Sequence, residues 1–437
     1  MKMDSKPGYK ESEIGWIPSD WSVEKVGSLA DVDPESLSNK TAEDFSFRYI
    51  SLGDVDSGRL ISGHDHIKFS DAPSRARRKV KTGDILFATV RPKLKGHYFA
   101  RRIDVNVVAS TGFAVVRAKA EIASPEFLYQ SLLSGRVDAQ IDKLTAGSNY
   151  PAVNSADVKG LLLTAPPLQE QKIIAAILMV VDEKLDVITR QIEVSHILKQ
   201  GLMQTLFSRG VGTQDVSGQW VLHSEFKTVL SLDIPSAWDV VRLGDIAPLI
   251  RRPVEVRPDA IYPELGLRSY GKGTFHKPAL LGADVGNKRL FEIKAGDLVL
   301  SNVFAWEGAV AVAKPEDDGR YGSHRYITCS VDKSRADTAY IYRYLITPAG
   351  IASLSLASPG GAGRNKTLGL SALANISIPL PPLAEQQKIS QILDDVEAKL
   401  QLLESKQSAV KSLKRGLMQK LLTGEWRVKL DSPSGTA

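Results

Sequence analysis

The sequence has only one cysteine, Cys329, among 437 residues. A single cysteine cannot form an intramolecular disulfide, and it is too few for a cysteine-based zinc site. The seven histidines show no spacing typical of metal ligands. We therefore expect no metal in this chain, and we predict that Cys329 is a small core residue of a protein in a reducing cytoplasm.

Long apolar segments are also lacking. The longest apolar run covers residues 173–181, which is too short to cross a bilayer as a helix. No apolar stretch follows Met1, so no secretory signal is expected. These features favour a cytoplasmic protein with no membrane partner. The net charge of +6 is compatible with nucleic acid binding but does not demonstrate it.

Familiar catalytic motifs are missing as well. There is no phosphate-binding Gly-x-x-x-x-Gly-Lys-Ser/Thr loop, and there is no Asn/Asp-Pro-Pro-Tyr/Phe quartet of the kind that adenine methyltransferases use. Residues 165–168 contain two prolines but neither functional end of that quartet. The chain is thus predicted to be non-catalytic. Because scattered acidic residues could still form a catalytic pair, a nuclease or methyltransferase with an unrecognised site stays open as an alternative.

What the sequence does contain is an internal repeat. Residues 166–206 and 381–421 align without a gap and are identical at 18 of 41 positions. Upstream segments repeat more loosely: Ile-Pro-Ser-x-Trp occurs at 17–21 and 234–238, and a Gly-Asp pair begins at Gly83 and again at Gly296. The chain therefore consists of two divergent modules, each followed by a segment whose register is fixed.

Each register-fixed segment is predicted to be a long helix. Between Glu170 and Ser208 there is no proline and one glycine, and apolar residues recur in alternating steps of four and three, which is typical of a coiled coil. Lys199 and Lys414 occupy equivalent positions in the two apolar seams. The seam residues are Ile174, Leu178, Val181, Leu185, Ile188, Ile192, Leu202 and Leu206, then Ile389, Leu393, Val396, Leu400, Leu403, Val410, Leu417 and Leu421.

Two arrangements of these helices are open. An antiparallel pair is the simpler one, because a globular module separates the two segments along the chain. Alternatively, each helix lies only on its own module.

The divergent modules have the pattern of mixed α and β structure. Strands are predicted at 47–52, 84–90, 105–117, 297–303, 308–312 and 326–331, and helices at 127–133 and 339–345. Basic residues cluster in the intervening loops, where arginine could pair with guanine and lysine could neutralise phosphate. The candidate DNA-binding residues are Arg75, Arg77, Arg78, Arg91, Lys93, Lys95, Asn149, Arg251, Arg252, Lys272, His324, Arg325, Arg364 and Lys366.

The repeated motifs resemble those of the specificity subunits of type I restriction–modification systems. The resemblance rests on the helix starts at 166–171 and 381–386, the helix ends at 201–204 and 416–419, and the module starts and Gly-Asp pairs described above. It covers nearly the whole chain in the same order.

The resemblance implies an α+β protein with internal pseudo-two-fold symmetry. Two mixed α/β target recognition domains, at 1–168 and 232–383, would be separated by spacer helices at 169–210 and 384–424. These helices would form an antiparallel coiled coil, with a linker at 211–231 and a tail at 425–437.

The resemblance also implies a function. Each recognition domain would read one half of a split site in double-stranded DNA, and the chain itself would bind no cofactor. Two modification subunits would use S-adenosylmethionine, and restriction subunits, where present, would use ATP and Mg²⁺. A non-DNA scaffold, in which two ligand-binding modules are held apart by the helices, is the second alternative.

Overall fold

The computed structural model describes residues 7–62, 66–147, 151–229, 232–360 and 366–429. The chain divides into two compact units. Unit 1 comprises Met1–Arg190 and Ser405–Ala437, and unit 2 comprises Gln191–Glu404. Each long helix contributes to both units: the first spans Leu168–Arg209 and the second spans Leu383–Leu421.

Two four-stranded sheets form the body of unit 1. The first is antiparallel, and its strands lie in the order Tyr98–Phe99, Ile85–Ala88, Phe113–Ala118, Ala30–Val32. The second contains one parallel pair, Ser46–Ile50 with Val107–Ser110, in the order His66–Lys68, Ser46–Ile50, Val107–Ser110, Ala76–Val80.

The remaining elements of unit 1 are short. Three two-stranded ribbons pair Tyr9–Lys10 with Ile17–Pro18, Ser22–Lys25 with Leu162–Ala165, and Val55–Asp56 with Arg59–Leu60. The helices are Val26–Leu29, Pro125–Leu132, Gly135–Leu144 and Ser155–Gly160, with single 3₁₀ turns at Leu52–Asp54, Phe69–Asp71 and Pro92–Leu94.

The sheets of unit 2 repeat the strand order of unit 1. The first runs Val310–Val312, Leu298–Ser301, Tyr326–Cys329, Leu249–Ile250. The second runs Thr274–Leu281, Ile261–Leu267, Arg320–Ser323, Leu290–Ile293, Pro253–Val254, and its one parallel pair, Ile261–Leu267 with Arg320–Ser323, occupies the same place.

Unit 2 has further ribbons and helices. The ribbons pair Thr213–Gln214 with Trp220–Val221, Phe226–Val229 with Leu232–Pro235, and Asp239–Arg242 with Ser377–Leu380. The helices are Leu243–Ile246, Gly282–Val285, Thr338–Leu345, Pro348–Leu356 and Leu370–Ala374, with 3₁₀ turns at Ala305–Glu307 and Pro315–Asp317.

The predicted strands are mostly found in shortened form, and each of the two predicted helices is one residue longer than predicted. The predicted strand 105–117 is wrong as one element, since a turn at Thr111 and Gly112 divides it into Val107–Ser110 and Phe113–Ala118. The helices Gly135–Leu144 and Pro348–Leu356 were not predicted. Cys329 is buried and free, as expected, and burial raises the pKa of its thiol to about 12.

The two long helices pair antiparallel within each unit. In unit 1, Lys414 Nζ lies 2.6 Å from Asp182 Oδ1, and Gln407 Nε2 donates to Thr189 Oγ1 over 2.9 Å. Thr189 lies seven residues after Asp182 on the first helix, and its partner Gln407 lies seven residues before Lys414 on the second, so the helices run antiparallel. In unit 2, Lys199 Nζ lies 2.7 Å from Glu397 Oε1. None of the predicted seam residues is exposed, and the seam lysines are accommodated by acids on the facing helix.

The alternative in which each helix lies only on its own module is wrong, because the helices pack on each other as well as on the modules. The start of the first long helix packs on its own module, where Ile174 and Leu178 join Trp21 and Phe127 in one buried cluster. The same cluster includes Leu421 from the end of the second long helix. Each unit thus combines one helix start with the antiparallel end of the other helix.

The Glu-Gln pair in the first turn of each long helix is buried, and its side chains are hydrogen-bonded. Glu170 accepts a hydrogen bond from the Trp21 indole at 3.0 Å, and Glu385 accepts one from Trp238 at 2.9 Å. Both carboxylates are at most 1% exposed. Because a buried carboxylate needs hydrogen-bond donors, these contacts explain why tryptophan and glutamate are repeated together.

The neighbouring glutamine ties each helix to its module. The Gln171 side chain accepts from Ser124 N at 3.0 Å and donates to Pro166 O at 2.9 Å. Gln386 repeats this pattern, accepting from Asp337 N and donating to Pro381 O, both at 2.8 Å. The gap-free repeat at the helix starts therefore preserves a specific buried hydrogen-bond arrangement.

Candidate nucleic-acid interface

The Gly-Asp turn positions the strand that leads to the candidate site in each unit. Asp84 accepts from Lys81 N at 2.7 Å, and Asp297 accepts from Lys294 N at 2.8 Å, so each aspartate closes the turn before a buried strand. Each also binds an arginine: Arg117 contacts Asp84 and Arg252 contacts Asp297. The aspartates are therefore structural.

In unit 1 this strand ends in an exposed turn that is joined to a second loop. We name residues 90–95 and 151–153 the first loop pair. Arg91 N donates to Pro151 O at 2.9 Å, and Val153 N donates to Thr89 O at 2.9 Å. Thr89 N in turn donates to Gly112 O at 2.9 Å. Backbone hydrogen bonds therefore hold three segments together at this point.

Unit 2 has the same junction. We name residues 302–308 and 366–368 the second loop pair. Asn302 N donates to Arg325 O at 2.7 Å, and Leu368 N donates to Asn302 O at 2.8 Å. Asn302 follows Thr89 by 213 residues, which is also the spacing between Gly83 and Gly296. The two loop pairs are thus equivalent positions of the repeat.

The exposed side chains at the two loop pairs differ in chemistry. The first presents Arg91 and Lys93, with Leu94 at 72% exposure. The second presents Phe304 at 42% exposure and a half-buried Trp306, whose ring lies 4.8 Å from Lys366 Nζ. A shared backbone carries a cationic surface in one unit and an aromatic, cationic surface in the other.

Strained backbone occurs in the first loop pair and next to the second. Among the described residues, six that are not glycine have positive φ. Arg91 at 47° and Lys95 at 55° lie in the first loop pair, and Tyr270 at 62° donates its N–H to Glu307 O in the second at 2.8 Å. Such conformations cost energy and cluster at binding sites.

The candidate cations of unit 1 divide by their contacts. Arg75 is exposed in a turn, whereas Arg77 and Arg78 are half-buried on the strand Ala76–Val80. The Arg77 guanidinium lies 4.9 Å from the Phe69 ring centroid, and Arg78 Nη2 lies 3.0 Å from Asp33 Oδ2. These contacts favour structural roles for Arg77 and Arg78.

Two candidate lysines at the first loop pair are ion-paired within the unit. Lys93 Nζ lies 2.7 Å from Asp142 Oδ1, a hydrogen bond that raises the pKa of Lys93, and Lys95 Nζ contacts Asp138. Both aspartates lie on the helix Gly135–Leu144. Sequence reasoning missed these partners, although their spacing of four places them on one helix face.

The unit 2 candidates also differ in placement. Arg252 Nη1 lies 2.6 Å from Asp297 Oδ2, and this hydrogen bond raises the pKa of Arg252. Arg251 is exposed and lies over Phe291, with 4.7 Å between the guanidinium carbon and the ring centroid. His324 and Arg325 are exposed, and the Arg325 backbone belongs to the junction at the second loop pair. Lys272 is exposed on the hairpin beside it.

Two candidates, Asn149 and Arg364, lie outside the described residues. In the described part of the chain, no group of three or more His, Cys, Asp or Glu side chains could hold a metal ion. Over the same ranges no helix is long and apolar enough to span a bilayer.

Solved structures with the same fold include two type I restriction–modification chains. A chain from a structure of complex assembly and conformational transition of a type I system has a TM-score of 0.54 at 23% identity, covering 94% of this chain and 99% of that one. The S subunit of a type I system from M. genitalium has a TM-score of 0.55 at 16% identity, covering 92% and 96%.

Sequence relatives extend the likeness. The MjaVIII type I restriction enzyme specificity subunit of Methanocaldococcus jannaschii is 25% identical over 448 residues, covering 98% of each chain. The HindI specificity subunit of Haemophilus influenzae is 29% identical over 201 residues, covering 43% of this chain and 41% of that one.

The family profile of the type I restriction modification DNA specificity domain matches this chain twice, at residues 18–195 and 235–412. Both matches contain a module, its loop pair and the following helix start. The chain therefore belongs to the type I restriction–modification DNA specificity family, as a two-domain specificity subunit rather than an enzyme.

Proposed function

We propose that this chain binds double-stranded DNA at a split site, with each unit reading one half through its loop pair. The observation that carries the proposal is the recurrence of one exposed loop junction, held by equivalent backbone hydrogen bonds, on matched sheets of both units. Rigid scaffolds that present variable loops are typical of recognition proteins.

The chemistry of the loops suits duplex DNA. Cationic side chains such as Arg91 neutralise phosphate or pair with guanine, and their attraction to DNA weakens with salt. The two loop pairs carry different side chains, so the two half-sites would differ in sequence. Arg91 and Arg325 are the two candidate base-reading arginines that lie at these junctions.

The repeated helices suit two copies of one partner. We infer that two modification subunits dock on the chain and methylate adenine with S-adenosylmethionine. Restriction subunits, where the system has them, would add ATP- and Mg²⁺-dependent translocation and cleavage. The chain would contribute recognition in the cytoplasm, and these cofactors would be held by its partners.

Reconstitution with the modification subunits tests the proposal. The complex should methylate adenine at a split site, and the chain alone should do no chemistry. Exchanging residues 232–380 for the corresponding module of a relative should change one half-site and leave the other intact. Methylation or cleavage by the chain alone would support an enzyme. Failure of the complex to bind any duplex at low salt would support a scaffold for another ligand.

A further inference from the structure

The hairpin beside each loop pair has the same tip in both units. In unit 1, Ser57 and Gly58 connect the paired strands Val55–Asp56 and Arg59–Leu60, with φ of 49° and 83°. In unit 2, Tyr270 and Gly271 lie at the tip between Ile261–Leu267 and Thr274–Leu281, both with φ of 62°. Each dipeptide is separated from its counterpart by 213 residues.

A tyrosine of the following helix lies beside each tip. In unit 2 the Tyr342 hydroxyl donates to Gly271 O at 2.8 Å. In unit 1 the Tyr129 hydroxyl lies next to Gly58, where a Cβ added to the glycine would come within 2.7 Å of it. Tyr129 and Tyr342 are also 213 residues apart. The duplication has therefore preserved both the turn and a tyrosine beside it.

The tip of unit 2 is further held by the second loop pair. Tyr270 N donates to Glu307 O at 2.8 Å, and Gly271 N donates to Gly308 O at 2.9 Å. The φ of 62° at Gly271 favours glycine there, and a Cβ would also come within 2.9 Å of Ile346 Cδ1. The backbone that carries Tyr270 is thus fixed before any ligand binds.

The first residue of the tip differs between the units although its backbone does not. Ser57 is exposed, and its hydroxyl donates to Asp56 at 2.9 Å. The Tyr270 side chain is 72% exposed. Tyrosine is unfavourable at positive φ, where glycine or asparagine would be unstrained. Because its ring is mostly in water, core packing does not explain why tyrosine occupies this position.

The surroundings of Tyr270 favour a nucleic acid. Lys272 Nζ lies 5.9 Å from the centre of its ring, and the neighbouring second loop pair adds Trp306 with Lys366 at 4.8 Å. In duplex DNA, lysine can neutralise phosphate, and an aromatic ring can contact a base edge such as the thymine methyl group in the major groove. A ring held on a fixed backbone also loses little conformational entropy on binding.

We propose that the position occupied by Ser57 and Tyr270 determines sequence specificity, and that the Tyr270 ring contacts a base in the half-site read by unit 2. This inference rests on the proposed function. The two units would use one scaffold and obtain different preferences by exchanging the side chain at the tip.

The test uses the full chain in complex with its modification subunits. Tyr270→Gly removes the ring and relieves the positive φ, so the turn is retained. Tyr270→Asn is a second variant that also tolerates this backbone. Adenine methylation is mapped over a library of randomised half-sites, and the exchange of residues 232–380 identifies the half read by unit 2.

We expect both variants to lose about tenfold or more discrimination at one or two base pairs of that half-site. The other half-site, the salt dependence of binding and the unfolding temperature should be unchanged. The reciprocal substitution Ser57→Tyr should alter preference only in the half-site of unit 1. Lys272→Ala is the matched control, which should weaken all sequences alike.

The outcomes separate the two proposals. If the wild-type complex recognises a split site and Tyr270→Gly keeps its sequence preference, the tip is not a specificity determinant and the proposed function stands. Uniform weakening across all sequences would also overturn base contact by Tyr270. If the wild-type complex recognises no split site, the proposed function itself fails.

Discussion

Replacing Glu385 with glutamine tests the buried anchor of unit 2. Its Oε1 accepts from Val211 N at 2.9 Å and Gly212 N at 3.0 Å, and its Oε2 accepts from the Trp238 indole at 2.9 Å. His223 Nε2 lies 3.0 Å from Oε1. Glu385→Gln keeps the volume and one acceptor oxygen but replaces the other oxygen with a donor.

The hydrogen bonds of Glu385 set the loss of stability that we expect for Glu385→Gln. The amide oxygen can keep both backbone hydrogen bonds, whereas the new NH₂ group faces the indole N–H of Trp238. A hydrogen bond to a charged group contributes about 1.5–3 kcal/mol, and a buried unsatisfied donor costs a further ~1–3 kcal/mol. His223 Nε2 also lies 3.2 Å from Oε2, so a contact between the new amide and this ring nitrogen would recover part of the loss. We expect about 3 kcal/mol of local destabilisation.

Hydrogen exchange resolved by segment is the appropriate assay, because a chain of two units does not unfold in one step. At about 1.4 kcal/mol per tenfold, the Val211 and Gly212 amides should exchange on the order of 100-fold faster in the variant. Glu404→Gln, at an exposed position of the same helix, is the matched control and should change little. If the backbone amides of residues 211–223 exchanged hydrogen at the same rate in Glu385→Gln and Glu404→Gln, the assigned role of Glu385 would be refuted.

Three further predictions concern unit 1. Burial lowers the pKa of His97 to about 3. Because the imidazole of the unfolded chain binds a proton near pH 6.5, the free energy of unfolding should fall as the pH drops from 6.5 towards 3, by at most about 1.4 kcal/mol per pH unit. Thermal denaturation of His97→Gln should lack this pH dependence. Asp142→Asn should free Lys93 and steepen the salt dependence of DNA binding by up to about one unit, while Lys93→Ala should flatten it. Lys414→Met leaves the partly buried Asp182 carboxylate without its cation and should lower the unfolding temperature, and adding Asp182→Asn should restore part of the loss.

Each of these has a contradicting result. An identical pH profile in His97→Gln would mean that the ring does not stay neutral in the folded state. Unchanged salt dependence in both the Asp142 and Lys93 variants would remove the first loop pair from the DNA interface. Additive losses in the Lys414 and Asp182 double variant would show that the two side chains are not coupled.

Much of the fold could be predicted because its signals are local or repeated. Heptad spacing predicted the long helices, and none of the seam residues is exposed. The strands predicted at 84–90 and 297–303, which begin at the Gly-Asp pairs, are found at Ile85–Ala88 and Leu298–Ser301 and are buried. The error in residues 105–117 arose because one turn, at Thr111 and Gly112, interrupts an otherwise continuous β-forming run.

The candidate site was less predictable because ion pairs are chosen by tertiary proximity. Arg78 and Arg252 have the composition of DNA-contacting residues, yet Asp33 and Asp297, each 45 residues away along the chain, bind them within the unit. Tyr270 was not among the candidate residues taken from the sequence. Its equivalence to Ser57 emerged only when the two hairpins and their supports could be compared.

The sequence by itself determined the duplication, the two long helices, the absence of known catalytic motifs and the family resemblance. These properties reside in periodicity and repetition, which need no knowledge of distant contacts. Only the tertiary structure decided which cations are neutralised, how Glu170 and Glu385 are satisfied, and which side chains stand exposed on a fixed backbone. Those outcomes depend on groups brought together from remote parts of the chain, where burial makes an unpaired charge costly and strain must be offset by surrounding hydrogen bonds.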